Sequence, residues 1–188
     1  MVTLGIVVGS TRPGRMGAQV ARWIQGRAEV LPGLQVELLD LAEIALPFLD
    51  EEQHPSSRAY QHQHTREWSR RVEALDAVVL VTPEYNSSFP APLKNALDFL
   101  SEEWRRMPVG LVGYGMTSAG TRAVAALMPV VTALAMVPAG AVQLPLRQRV
   151  DPAGVLRPVA ADDAALDGLL RDLLELTTLL RDRQVVTA

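Results

Sequence analysis

Short, nearly continuous apolar runs recur along this chain and alternate with stretches whose apolar residues return every three or four positions. The runs are Thr3–Gly9, Leu34–Asp40, Asp76–Pro83, Pro108–Gly115 and Ala139–Pro145. Rich in valine and leucine and closed by Gly, Pro or Asp, they predict five strands covered on both faces, because a strand with one wet face would alternate. Between them, Gly17–Leu31, Arg58–Leu75, Pro92–Trp104 and Thr121–Met136 carry helical spacing, and Pro129 is expected to kink or shorten the last of these. Leu166, Leu169, Leu170, Leu173, Leu176 and Leu180 predict a final helix with a core-facing stripe. Asp162 or Asp163 is its expected cap, and the tail after Arg183 is expected to fray.

Strict alternation of strand and helix predicts an α/β domain spanning residues 1–188. The expected architecture is a doubly wound, five-stranded parallel sheet in the order 2-1-3-4-5, with helices on both faces. In such a sheet a ligand lies beyond the carboxyl ends of the strands, where strands 1 and 3 diverge. The loops after Val8, Val81 and Gly113 therefore carry the candidate chemistry.

The first loop, Gly9–Gly17, reads GSTRPGRMG. A helix start presents free N–H groups to an anion, Ser10 and Thr11 add hydroxyls, and Arg12 and Arg15 add charge. It is neither G-x-G-x-x-G nor a Walker A motif, so dinucleotide or triphosphate binding of those kinds loses support. Taken alone, an ordinary glycine-containing turn with surface arginines explains it equally well. The second loop opens the segment TPEYNSSFPAPLKNALDFL (Thr82–Leu100), a proline-stiffened excursion before a helix that begins near Pro90–Pro92. Its backbone donors suit the polar edge of a planar ring, and Tyr85 and Phe89 suit its faces. Lys94 and Asp98, four apart, are expected to pair locally. The third loop lies within GYGMTSAGTRA (Gly113–Ala123).

Together these segments resemble the NAD(P)H-dependent FMN reductase family of flavodoxin-like proteins. Its members show G-S-x-R after strand 1, T-P-E-Y-N-x-S-x-P-x-x-L-K-N-A-x-D after strand 3 and G-Y-G-G-x-x-G-G-x-R-A after strand 4. The resemblance covers Gly5 to about Pro145, and the strand-3 motif is its specific part. It implies that Ser10, Arg12, Arg15, Met16 and Gly17 hold the FMN phosphate. Pro83, Glu84, Tyr85 and Asn86 would border the isoalloxazine, largely through backbone groups, and Tyr114, Gly115 and Met116 its other edge. NADPH or NADH as donor, a small-molecule acceptor and a homodimer or homotetramer come from the resemblance as well. Two departures stand out. Arg15, Met16 and Gly17 replace the hydroxyl or asparagine donors of many relatives, and Met116 and Ala119 stand where glycine is usual.

No protein acid, base or nucleophile is needed, because the cofactor carries the hydride chemistry. Tyr85 then reads as a pocket wall. Free flavin, quinones, azo dyes, nitro compounds and metal oxyanions remain open as acceptors. A flavodoxin-type electron carrier and a flavin-binding domain without turnover remain as alternatives.

Composition narrows the field further. With no cysteine there are no disulfides, thiolate metal sites or cysteine nucleophiles, which suits a reducing, cytoplasmic setting. A net charge of −3 argues against general nucleic-acid binding. No apolar stretch approaches the roughly 20 residues of a membrane span, and Leu4–Val8 lacks the layout of a signal peptide. His62 and His64 lie two apart and should not face one another on a helix, so they and His54 read as a solvated connector. Trp68 and Trp104 read as packing residues, and Ser118 lacks a G-x-S-x-G context.

Overall fold

The computed structural model describes residues 1–185. Five strands, β1 (Val2–Val8), β2 (Leu34–Asp40), β3 (Ala77–Pro83), β4 (Pro108–Gly115) and β5 (Val137–Pro145), pair in parallel in the order β2-β1-β3-β4-β5. The helices are α1 (Gly17–Ala28), α2 (Leu41–Ile44), α3 (Gln63–Glu73), α4 (Ala91–Asp98), α5 (Thr121–Ala133), α6 (Leu146–Arg149) and α7 (Ala160–Val185). The sheet and its order are those expected of a doubly wound flavodoxin-like domain.

Every residue of the central strand β3 is buried, and its side chains feed two cores in alternation. Val78 and Leu80 join Trp68, Leu97, Trp104 and Leu127, contributed by or next to α3, α4 and α5. Val79 and Val81 join Val20, Ile24, Leu166 and Leu170 from α1 and α7. Period-two alternation on a strand thus becomes two layers of helices. Trp23 Nε1 donates to Asp163 Oδ1 at 2.8 Å, and Arg27 pairs with Asp167, tying α1 to α7 along their shared outer edge.

Helix ends differ from the sequence reading for local reasons. α1 stops at Ala28 and α3 begins at Gln63, inside the limits expected from apolar spacing. α4 ends at Asp98; the apolar pattern beyond it is real, since Leu100 and Trp104 are buried, but a 3-10 turn at Glu102–Trp104 carries it. α5 runs through Pro129 and ends at Ala133, three residues short of Met136. Asp162 sits inside α7, where its Oδ2 accepts the Val159 N–H at 2.9 Å, the backward half of a capping box rather than an N-cap. Asp163 is committed to Trp23. The Lys94–Asp98 pair forms, at 2.6 Å. The fraying expected after Arg183 falls largely on residues outside those described.

His62 and His64 do face one another, against the helical-spacing argument. α3 starts only at Gln63, so His62 is extended at φ −91°, ψ 144°, and the two rings stack with centroids 5.2 Å apart. Among the described residues no cluster of His, Asp and Glu is arranged to hold a metal ion, and no helix is long and apolar enough to cross a membrane.

Candidate functional site

The carboxyl ends of β1, β3 and β4 bring the three loops into one cleft of about 370 Å³. Arg12, Arg15 and Met16 line it from the first loop, Pro83, Glu84 and Tyr85 from the second, and Tyr114, Gly115 and Met116 from the third. Pro13, Gly14 and Leu146 complete its wall. Ser10 and Gly17 lie buried beneath the first loop, and Asn86 is exposed at the tip of the second. A larger, more apolar cleft of about 450 Å³ lies on the other flank of the first loop, between Thr11, Leu46, Phe48, Pro92 and Asn95. It is the roomier of the two, but the polar loop groups converge on the smaller one.

Each loop is shaped by identifiable contacts. In the first, Ser10 is fully buried; its Oγ shares a 2.8 Å hydrogen bond with the Tyr85 hydroxyl and accepts the Arg12 N–H at 3.4 Å. Gly14 turns the chain at φ +69°, and Arg15 N donates to Arg12 O. Gly17 is a packing glycine. A Cβ there would lie 2.9 Å from both Val8 Cγ1 and the Tyr114 hydroxyl, so only glycine lets the first turn of α1 sit down on the sheet.

In the second loop, Tyr85 and Ser88 exchange backbone hydrogen bonds across Asn86 (φ 49°) and Ser87 (φ 65°). Two successive positive φ values make a tight hairpin-type turn, which asparagine tolerates better than most residues. The Glu84 N–H donates to Tyr114 O at 3.1 Å, extending the β3–β4 pairing into the loops.

Glu84 reaches across to the third loop. α5 starts after Gly120, which has no side chain to cap it, and the Glu84 carboxylate takes that role by accepting the Arg122 N–H at 3.1 Å. The Ser118 hydroxyl, with the Arg122 and Ala123 N–H groups and the Arg122 guanidinium, holds Glu84 below the usual carboxylate range. A group lowered in this way stabilises the fold above its unfolded pKa near 4.5 and loses that contribution as pH falls through the lower folded value. Glu84→Gln keeps an oxygen for the Arg122 N–H but removes the charge, and should therefore cost about 1 kcal/mol at pH 7, the difference between a charged and a neutral hydrogen-bond acceptor. The gap in melting temperature between the two proteins should close as pH falls through the lowered folded pKa of Glu84, where the wild-type carboxylate is itself protonated. A gap independent of pH would exclude the charge as its cause.

Tyr114 is 4% exposed. Burial drives the pKa of its hydroxyl up, with Tyr85 nearby adding to the rise. It is a neutral hydroxyl at the floor of the cleft. Met116 is 58% exposed at the rim, whereas Ala119 does not line the cleft. Ala119 instead takes φ +53° directly before Gly120 at φ +85°. That backbone is one glycine adopts freely, which gives a physical reason for glycine being usual there.

The first loop suits a phosphate. Among the described residues nothing accepts the N–H groups of Thr11, Gly14 or Met16, and Arg15 Nε is buried without a partner. A helix start with spare amides, an under-satisfied arginine and a glycine turn make an anion cradle. Sequence reasoning passed over Asp40, which binds Arg15 Nη2 at 2.6 Å. Its position at the carboxyl end of β2 was the available signal. Leu146 gave none.

A flavodoxin-like sheet, a first loop with spare amides and an under-satisfied arginine, and a cleft between the loops after β3 and β4 define the class. The chain belongs to the NADPH-dependent FMN reductase family, whose model matches residues 2–151. FMN and NAD(P)H come with that membership as cofactors. The chain is 31% identical to the NAD(P)H-dependent FMN reductase ntnL of Nectria sp over 180 residues, 90% of this chain and 84% of that protein. It is 41% identical to the NAD(P)H-dependent FMN reductase LOT6 of Saccharomyces cerevisiae over 123 residues, 60% of this chain and 64% of that protein. Among solved structures, the flavoenzyme NAD(P)H:(acceptor) oxidoreductase FerB of Paracoccus denitrificans superposes with a TM-score of 0.74 at 21% identity, covering 93% of this chain and 98% of FerB.

Proposed function

We propose that the cleft holds FMN and that the protein takes hydride from NAD(P)H and passes it to a small, flat acceptor such as free flavin or a quinone. The observation that carries this reading is the meeting of the spare first-loop amides and Arg15 with the walls formed by Pro83, Tyr85, Tyr114 and Met116. Arg12, Arg15 and Met16 would hold the phosphate, while Ser10 and Gly17 fix the loop's shape from beneath. Pro83, Glu84, Tyr85 and Asn86 would border the ring through their backbone, and Tyr114, Gly115 and Met116 its other edge. Bound there, FMN supplies acceptance and onward transfer of hydride. The chain's part is to bind, orient and exclude water; the buried Tyr114 hydroxyl stays protonated, and Glu84 stays ionised and locked to α5.

The exposed Met116 at the rim, with Leu146 in the wall behind it, favours a flat conjugated acceptor. Phe48, 83% exposed beside the second cleft, supports a homodimer or homotetramer, which light scattering on the purified protein would test. A cysteine-free chain using NAD(P)H fits the cytoplasm.

Reconstitution with FMN followed by anaerobic NADPH or NADH tests the central reading. The flavin bands should appear and then bleach, and bleaching should reverse on adding a quinone or free flavin. Bound flavin that the nicotinamides leave oxidised would instead favour an electron carrier or a domain without turnover. Absence of bound flavin would sink the proposal.

A further inference from the structure

Arg15 belongs to the first loop, yet its guanidinium is held by a residue outside the loop. Its Nη2 donates to Asp40 Oδ2 at 2.6 Å, and its Nε is buried and meets no acceptor among the described residues. Asp40 ends β2, pairs in register with Val8, and is 7% exposed. Its other oxygen, Oδ1, accepts the Ala42 N–H at 3.0 Å and caps α2. One side chain thus serves two purposes, and the helix cap keeps it in place whatever Arg15 does.

A guanidinium offers five donors, of which this contact uses one. A phosphate dianion carries more charge than a carboxylate and accepts two parallel N–H bonds from the same guanidinium. With one donor stranded, Arg15 has something to gain by leaving Asp40. We propose that Asp40 is an internal competitor for Arg15: it restrains the guanidinium against β2 while the first loop is empty of anion and yields it to the phosphate of FMN. Asp40 therefore lowers FMN affinity, and it does so through Arg15. This rests on the proposed FMN site but adds a residue that does not line the cleft.

The test is a binding cycle read by quenching of FMN fluorescence in the flavin-stripped protein. Asp40→Asn keeps an oxygen for the Ala42 N–H, so the α2 cap survives while the ion pair is lost. It should tighten FMN about tenfold, the scale of one charge-assisted hydrogen bond released for the ligand. In an Arg15→Ala background the same change should move the dissociation constant less than about twofold. Riboflavin, which lacks the phosphate, should bind wild type and Asp40→Asn alike. Weaker or unchanged FMN binding by Asp40→Asn overturns the proposal, because Asp40 would then position Arg15 or be indifferent to it. Equal tightening with and without Arg15 also overturns it, since the carboxylate would act only through its field. Should Asp40→Asn fail to fold, Asp40→Ser, which also caps helices, takes its place with the same expectations. Wild-type protein that quenches no FMN refutes the cofactor site itself, a result distinct from a failed cycle.

Discussion

Gly120→Ala should be the most damaging single-methyl change in the protein, costing about 3 kcal/mol or more. Gly120 has φ +85°, and a Cβ on it would lie 2.3 Å from Tyr114 N and 2.5 Å from Gly113 C. Those are backbone atoms of β4, fixed by pairing on both sides with β3 and β5. No rotamer relieves such a clash, so either β4 or the start of α5 must move. Both choices disturb the cleft, because Tyr114 and Gly115 line it and Glu84 caps α5. Thermal unfolding should fall by roughly 10 °C for a chain of this length, with FMN binding lost in parallel. A melting temperature unchanged within about 2 °C would mean that the loop repacks freely, against everything its contacts suggest.

Trp68→Ala should cost about 3–5 kcal/mol, as truncation of a large buried aromatic side chain does. Trp68 is 1% exposed and meets Trp104 edge to face, with ring centroids 6.0 Å apart. The pair does more than fill space. The last carbonyls of a helix lack internal partners, and at the end of α4 two of them are met by indole N–H groups. Trp68 Nε1 donates to Ala96 O at 2.9 Å, and Trp104 Nε1 to Leu97 O at 3.1 Å. Trp68→Phe keeps most of the apolar volume and removes one bond, so it should cost nearer 1–2 kcal/mol. Urea titration of both variants separates packing from hydrogen bonding. Equal losses would assign the whole effect to the indole N–H.

The sheet was legible because its strands are short, apolar and punctuated. β2 and β4 begin and end where Leu34–Asp40 and Pro108–Gly115 were read from the sequence alone. Helix limits were less legible, because apolar spacing reports burial rather than backbone form. Leu100 and Trp104 are core residues outside α4, and His62 belongs to an extended N-cap. Pro129 lies within α5, where tertiary packing of Val124, Leu127 and Val131 outweighs its missing N–H. At the site, the motif identified the loops but not their internal partnerships. Nothing in the spacing joins Arg15 to Asp40, 25 residues away, or turns Glu84 towards α5. The register of parallel strands makes both contacts, and register is a property of the folded sheet. Ser10 likewise reads as a ligand donor in sequence, whereas its partner in the fold is Tyr85, 75 residues on.

The third loop has one further consequence, for how this protein can change. Its two ends are pinned, at the start by the Glu84 N–H on Tyr114 O and at the finish by the close passage of Gly120 over Gly113 and the Glu84 carboxylate on α5. Between those pins the Met116 side chain projects from the rim. Selection, natural or in the laboratory, can exchange that one residue at little thermodynamic risk while reshaping the approach to the cleft. Met116 is where a library aimed at new electron acceptors should begin.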